Sequence, residues 1–106
     1  MDNILTIVAK LHAAKGKGNM MAALLMEQVS IVGRTEPDCL VYRLHRSIQD
    51  PDLFMFYEQY KDDAAFDAHS KATRLDDFRK RCEEKGLTEG PVDEAIQIEI
   101  YRSMSS

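Results

Sequence analysis

The sequence predicts an α+β fold, in which a four-stranded antiparallel sheet carries helices on one face. Four segments alternate apolar and polar residues with the period of a strand, and two regions repeat apolar residues at helical spacing. They follow one another as β-α-β-β-α-β, which is the ferredoxin-like order. The length of 106 residues suits one domain, so we expect a single domain over residues 1–106 with its core at 4–102.

The first half of the chain predicts a strand, a helix and a second strand. Residues 4–12 alternate as a strand does, and residues 19–32 show helical spacing after a glycine-containing turn. Asn19 is the expected N-cap of this helix, and Gly33 is its expected stop. Residues 39–47 alternate again and form the second predicted strand.

The second half predicts a hairpin partner, a split helical region and a last strand. Residues 53–60 follow the second strand after a short polar connection, so the two should pair as an antiparallel hairpin. A short helix capped by Asp62 or Asp63 comes next, and a second helix spans residues 72–85. The final predicted strand covers residues 95–102.

The second face of the predicted sheet is half apolar. If every second residue of each strand points to this face, the face mixes apolar and polar residues. They are Ile4, Val8, Cys39, Val41, Leu53 and Met55 with Arg43, His45 and Gln59. A sheet face lying wholly in water should be polar throughout. The mixture therefore predicts a partner sheet, and hence a homodimer.

Composition excludes several classes of function. The net charge is −4, and basic residues are interleaved with acidic ones, so no basic stripe is available for nucleic acid. No apolar run approaches the ~20 residues of a membrane helix, and the N-terminal residues do not read as a secretory signal. We therefore expect a cytoplasmic protein with no membrane contact, in which Cys39 and Cys82 are free thiols. No motif indicates a metal or another cofactor.

Three segments together resemble a known family. They are IVAKLHAAKGKG near the start, RTEPDCLVYRL from Arg34, and FMFYEQYKDDAAFDAH from Phe54 to His69. The last has an aromatic strand, a glutamate, a tyrosine two positions later and a short helix ending in histidine. In this order and spacing, the segments resemble the antibiotic biosynthesis monooxygenase (ABM) family over most of residues 4–101.

The resemblance implies a dimeric α+β barrel, in which the sheets of two subunits face each other. It also implies a small cavity between each sheet and its helices. Several members oxidise phenols or quinols with molecular oxygen and use neither metal nor flavin. We therefore predict an ABM-like, cofactor-independent monooxygenase that acts on a small quinol, phenol or similar aromatic substrate.

The chain departs from the family pattern at three places. Asp38 stands where glycine is usual, and Tyr60 takes a position where tryptophan is common. The family often continues after its histidine with Ser-Pro-His, whereas this chain has Ala72-Thr73-Arg74. Because the sequence has no tryptophan, the haem-degrading branch of the family is disfavoured.

The candidate catalytic residues are His69, Tyr60 and Glu58. His69 has the ordinary pKa for proton transfer near neutrality, although a histidine at a helix end also often bonds a backbone carbonyl. Glu58 is either a base or substrate anchor, or the partner in a structural ion pair. A lone buried carboxylate is costly, so Glu58 is expected either to pair with an arginine (Arg34, Arg43 or Arg74) or to cap backbone donors.

The candidate substrate-binding residues are Tyr57, Arg43, His45, Arg74 and Phe66. The tyrosines of the strands would line a pocket for a flat aromatic ligand, or else belong to the core or dimer interface. Arg43 and His45 point the same way on one strand. They would hold an anionic group or form salt bridges across the dimer.

Two other functions fit the same residues. One is an isomerase or another non-oxidative enzyme acting on a small phosphorylated carbonyl compound, with Arg43, Arg74 and His69 forming an anion pocket. The other is a non-catalytic module for small-molecule binding or stress response. Both use the same predicted cavity, because a scaffold does not fix a reaction.

Overall fold

The computed structural model describes residues 3–105, so Met1, Asp2 and Ser106 of the predicted domain lie outside the described part. The elements, in chain order, are β1 (Leu5–His12), α1 (Gly18–Thr35), β2 (Cys39–Arg46), β3 (Leu53–Tyr60), α2 (Asp63–Ser70), α3 (Arg74–Glu84), a 3-10 helix (Val92–Ala95) and β4 (Ile96–Arg102). This order confirms the predicted ferredoxin-like α+β fold, including the split second helical region. The 3-10 helix was not predicted, and because it includes Ala95, the last strand begins at Ile96 rather than at residue 95.

The four strands form one antiparallel sheet in the order β2-β3-β1-β4. The predicted hairpin of β2 and β3 is present. Strands β3 and β1 occupy the centre, and β2 and β4 are the edges. Within residues 3–105, no helix is long and apolar enough to cross a bilayer.

The core lies between the sheet and its helices. Phe54 and Phe56 of β3 pack against Leu24 of α1 and Phe78 of α3 in the larger of two apolar clusters. The smaller cluster joins Leu5, Ile7 and Tyr60, with Cys39 and Phe66 at its edge. Residues of both clusters, among them Phe56 and Phe78 of the larger one and Ile7 and Phe66 of the smaller one, also line the cavity described below.

Helix α1 differs from the prediction at both ends. Gly33 does not stop it; the helix continues to Thr35, whose hydroxyl donates to the Ile31 carbonyl at 2.7 Å. Asn19 is not its N-cap either. Instead, the Asp52 carboxylate accepts hydrogen bonds from the amides of Gly16 and Gly18 at 3.0 and 2.9 Å. A capping group from the distant β2–β3 connection thus replaces a local one.

The other helix ends follow their local signals. Asp62 caps α2 through a hydrogen bond from the Ala65 amide at 2.9 Å, as one of the two predicted caps. Gly86 follows α3 with a φ of +60°, a left-handed conformation that favours glycine. The Asp62 cap thus fixes the start of α2, the helix that carries the candidate histidine.

Strand β2 corrects one part of the predicted second face. Its pairing with β3 shifts between Cys39 and Val41, which is a β-bulge. The extra residue moves Cys39 to the helix side, opposite Tyr60, and leaves Leu40 52% exposed. Because a bulge changes the alternation by one residue, the prediction that Cys39 lies on the second face was wrong. Cys39 and Cys82 are free thiols, as expected.

Candidate active site

A cavity of about 330 Å³ lies between the helix side of the sheet and helices α1, α2 and α3. Most of its wall is apolar, and a small number of polar side chains reach it, as is usual for a small-molecule site. The polar and aromatic residues at the cavity include Gln28, Tyr42, Glu58, Phe66, His69 and Arg74. The cavity therefore collects four of the predicted site residues.

A wider surface depression of about 650 Å³ lies elsewhere, beside His12 and Asp50. His12 and Asp50 form an ion pair of 2.9 Å and are largely exposed. None of the predicted site residues lines this depression. The chemistry predicted from the sequence therefore belongs to the smaller cavity.

His69 lies in the last turn of α2, and its side chain is only 9% exposed. Its Nδ1 atom is 2.7 Å from Oε1 of Glu36, in the turn after α1. The other Glu36 oxygen accepts from Nη2 and Nε of Arg74, at 3.0 and 3.2 Å. A carboxylate paired with arginine is ionised, so Nδ1 of His69 carries the hydrogen and donates it. The Nε2 atom then keeps its lone pair.

Arg74 also contacts the imidazole ring of His69 directly. Its Nη2 is 3.0 Å from Nδ1 and 3.5 Å from Nε2. If Nη2 lay in the ring plane along the lone-pair direction of one ring nitrogen, its distance to the other ring nitrogen would be much longer. The two distances are similar, so Nη2 lies over the face of the ring. Arg74 therefore leaves the in-plane lone pair of Nε2 free. The same guanidinium donates to the Gln28 side-chain oxygen at 2.7 Å and ties α3 to α1.

Burial lowers the pKa of His69 below its ordinary value, and the positive charge of Arg74 acts in the same direction. The hydrogen bond and charge of Glu36 oppose this shift but do not cancel it. His69 is therefore neutral near pH 7. A neutral imidazole with a fixed tautomer and a free nitrogen is suited to accept a proton.

Glu58 is on β3, only 4% exposed, and its nearest bonded partner is Tyr60. The Tyr60 hydroxyl donates to Oε1 of Glu58 at 2.6 Å. Burial raises the pKa of Glu58 to about 7, although the Tyr60 hydrogen bond and Arg74 lower it. Its Oε1 is 3.8 Å from Nε2 of His69, which is beyond hydrogen-bond distance.

The prediction that Glu58 pairs with an arginine was wrong. Among residues 3–105, no arginine forms an ion pair with Glu58. Arg74 is the candidate that reaches the site, and it pairs with Glu36 instead. Arg34 is exposed at the end of α1, and Arg43 is exposed on β2. A phenolic hydroxyl therefore takes the place of a cation beside Glu58. This matters because a hydroxyl stabilises a carboxylate less than an arginine does.

Aromatic rings surround the imidazole of His69. The ring centroids of Tyr60 and Tyr42 lie 5.1 and 5.4 Å from it, and Phe66 stacks with it at 6.4 Å. Tyr60 is fully buried and stands behind Glu58, whereas Tyr42 and Phe66 line the cavity. Burial raises the pKa values of both tyrosines, so their hydroxyls keep their protons and act as donors.

Three predicted substrate-binding residues are not brought to the cavity. Arg43 lies directly opposite Tyr57 in the β2–β3 pairing, and His45 lies opposite Met55. These residues alternate with the cavity-lining residues, so their side chains are on the other face of the sheet. The cavity therefore has no contribution from Arg43, His45 or Tyr57.

Two residues of the site were not predicted. Gln28 had a visible signal, because it is a polar residue within the buried apolar stripe of α1. Glu36 had none: it precedes Pro37 in an ordinary turn, and its partner His69 is 33 positions away. Only the folded chain places a carboxylate beside that histidine.

Comparison with known proteins supports the family resemblance and the fold. The sequence model of a family described as antibiotic biosynthesis monooxygenase matches residues 4–81. No curated protein matches the chain. Among solved structures, PA3566 from Pseudomonas aeruginosa is 28% identical with a TM-score of 0.81, covering 99% of this chain and 98% of its own.

Two further structures share the fold. SO0527 from Shewanella oneidensis is 24% identical with a TM-score of 0.75, over 97% of this chain and 93% of its own. A protein from Deinococcus radiodurans, whose name gives it as a putative antibiotic biosynthesis monooxygenase, is 17% identical with a TM-score of 0.79. It covers 96% of this chain and 94% of its own. At these identities the likeness concerns the fold alone.

Proposed function

Because this chain belongs to the antibiotic biosynthesis monooxygenase family, we propose that it is a cofactor-independent monooxygenase that oxidises a small phenol or quinol with molecular oxygen. The observation that carries the proposal is His69. Glu36 fixes its hydrogen on Nδ1, so Nε2 is left as a proton acceptor beside an apolar cavity. A weakly acidic hydroxyl on a flat ring is the substrate that this arrangement suits.

The charges at the cavity favour a neutral ligand. Arg74 is neutralised by Glu36, and Arg79 at the mouth is paired with Asp93 at 2.9 Å. Lys10 also borders the cavity, but its side chain is exposed. By the alternation of β1, it lies on the face of the sheet opposite the helices. A phosphate group would need an unpaired cation inside. The alternative of a phosphorylated carbonyl substrate is therefore supported less well than a phenol.

The size of the cavity limits the substrate further. A volume of about 330 Å³ lies at the low end of the ~300–1,000 Å³ typical of small-molecule sites. A ligand of one or two aromatic rings fits this space better than a larger polycyclic one. The rings of Tyr42 and Phe66 provide flat apolar surfaces against which such a ligand packs.

The reaction needs no external reductant, since the substrate supplies the electrons. His69 removes the hydroxyl proton, and the phenolate gives electrons to oxygen and forms a bond from a ring carbon to oxygen. Loss of the hydrogen on that carbon and cleavage of the O–O bond then give a quinone and water. One phenol and one O₂ are thus converted to one quinone and one water.

Oxygen consumption tests this proposal. With a panel of hydroquinones and naphthols, in the presence of a metal chelator, we expect uptake by the wild-type protein. His69→Gln should reduce the uptake about 10²–10⁴-fold, the usual contribution of a proton-transfer residue. The exposed His12→Gln is the matched control and should keep full activity. Ligand binding without any uptake by the wild type would instead favour a non-catalytic binding module.

We also propose that the protein is a cytoplasmic homodimer. The outer face of the sheet places Val8, Val41 and Met55 beside Tyr57, which is 37% exposed. A second copy of this chain, applied sheet to sheet, would cover these apolar groups, as the family resemblance implies. The two free thiols are consistent with a reducing compartment.

A further inference from the structure

We propose that Glu58 is a second catalytic residue, which donates a proton to the departing oxygen atom when the O–O bond breaks. This inference rests on the proposed oxygenase function and assigns the acid that the reaction needs. Without a proton, O–O cleavage would expel hydroxide into an apolar cavity, where an ion is poorly solvated. His69 begins the reaction as a base, and the one proton that it gains from the phenol is taken up by the peroxide formed on the ring carbon.

The position of Glu58 gives it access to the substrate. Its Oε1 atom is occupied by the Tyr60 hydroxyl at 2.6 Å. Among residues 3–105, no hydrogen bond to its Oε2 atom is found, and no fully buried side-chain oxygen there lacks a partner. Oε2 must therefore open onto the cavity that Glu58 lines. A proton on Oε2 would face the substrate.

The surroundings of Glu58 do not hold it in the charged state. The titratable or charged groups around it are Tyr60, Tyr42, Cys39, His69, Arg74 and Glu36. The two tyrosines, the Cys39 thiol and His69 are neutral near pH 7, and the charges of Arg74 and Glu36 pair with each other. Burial then dominates and raises the pKa of Glu58 to about 7, so a large fraction carries a proton at neutral pH.

The two residues form a complementary pair around the substrate. After passing the proton of the phenol to the peroxide formed on the ring carbon, His69 is neutral again and accepts the hydrogen lost from that carbon, while Glu58 protonates the leaving hydroxyl, which departs as water. The imidazolium of His69 then returns a proton to the Glu58 carboxylate through the product water, because Nε2 and Oε1 are 3.8 Å apart and too distant for a direct hydrogen bond. Both groups are back in their starting states, and no proton is gained or lost.

Glu58→Gln tests the role, because glutamine keeps the shape and still accepts the Tyr60 hydrogen bond but has no acidic proton. Anaerobic binding should still give the phenolate spectrum, since His69 is intact. Quinone formation should fall about 10²–10⁴-fold, and the ring hydroperoxide that precedes O–O cleavage should accumulate in its place. Glu83→Gln, at an exposed position on α3, should behave as wild type.

The outcomes separate the two proposals. A wild-type protein that consumes no oxygen would overturn the oxygenase function itself. An active wild type, together with Glu58→Gln that forms quinone at the wild-type rate, would overturn only the role of Glu58. Infrared titration of the substrate-free protein adds a readout that needs no turnover. A carboxylic acid band should persist to about pH 7 and vanish in Glu58→Gln; its loss near pH 4.5 would contradict the inference.

Discussion

The Oε1 atom of Glu36 accepts a hydrogen bond from Nδ1 of His69 at 2.7 Å. This contact determines which nitrogen of the histidine is free, and therefore which one meets the substrate. It also joins the turn after α1 to the end of α2, two segments that are distant in sequence. Arg74 completes the arrangement by neutralising Glu36, so that His69 remains an uncharged base.

Glu36→Gln should weaken both the fold and the base. The amide leaves Arg74 without its counter-charge, so we expect a loss of about 2–3 kcal/mol in the free energy of unfolding. This is less than the ~3–5 kcal/mol of a fully buried pair, because the Glu36 side chain is 18% exposed. The pKa of His69 should fall further, since Glu36 raises it. Urea denaturation and an NMR titration of His69 measure the two effects.

The matched control for Glu36→Gln is Glu83→Gln, which changes an exposed glutamate by the same atoms. It should leave the urea midpoint and the His69 titration unchanged. If both variants unfold at the wild-type midpoint, the Glu36–Arg74 pair does not stabilise the protein as described.

Glu58 should make stability depend on pH in an unusual direction. Its pKa is about 7 in the folded protein and near 4.5 when unfolded, so between these values the folded state binds more protons. The free energy of unfolding should therefore fall as pH rises from about 4.5 to 7, by on the order of 3 kcal/mol in total. The contribution of Glu58 is fully present below pH 4.5.

The comparison between wild type and Glu58→Gln isolates this contribution. His69 acts in the opposite direction, because its lowered pKa stabilises the fold as pH rises toward its ordinary value. His69 is present in both proteins, so its effect cancels in the difference. A difference in unfolding free energy that stays constant from pH 4 to 8 would show that Glu58 titrates normally.

Tyr60→Phe should raise the pKa of Glu58 further. The Tyr60 hydroxyl donates to the carboxylate and favours its charged form, so its removal favours the protonated form. Carboxyl carbon NMR shifts followed against pH measure the change. Tyr101→Phe is a close control, because Tyr101 donates to Glu99 two positions away on an exposed strand. An unchanged Glu58 titration in Tyr60→Phe would remove the proposed effect of this hydrogen bond.

The sheet and helix order could be predicted because alternation and helical spacing are local properties of the sequence. Strand β3 was predicted with its exact bounds, since its pattern is uninterrupted from Leu53 to Tyr60. The bulge at Cys39 was missed because periodicity does not reveal an inserted residue. The cap of α1 was also missed, since Asp52 reaches it from a connection 34 positions away.

The site was predictable only in part for a similar reason. Sequence reasoning nominated His69, Glu58 and Arg74 as site residues, but the partners among them depend on distances between remote segments. Glu36 had no local signal, so Arg74 was considered as a partner of Glu58 rather than of Glu36. Alternation alone separates Tyr57 from Glu58, because neighbours on a strand point to opposite faces. That simple rule removes Tyr57 from the cavity.

The proposed dimer can be tested by a charge on the outer face of the sheet. Val8 of β1 lies opposite Tyr57 of β3 in the sheet, near the middle of that face. We expect Val8→Lys to convert a dimer to a monomer, because two like charges would meet across a two-fold axis. Light scattering after size exclusion measures the mass. Met26→Lys, on the exposed side of α1, should remain dimeric; a monomeric wild type would contradict the proposal.

The most direct test of the central claim is the fate of isotopic oxygen. Purified protein, treated with chelator and free of flavin, is given ¹⁸O₂ and a phenol that it oxidises. We expect one ¹⁸O atom in the quinone for each O₂ consumed, with the other in water, and loss of this product in His69→Gln. A quinone without ¹⁸O, or equal labelling by His69→Gln, would show that the cavity and its histidine do not carry out the oxygenation.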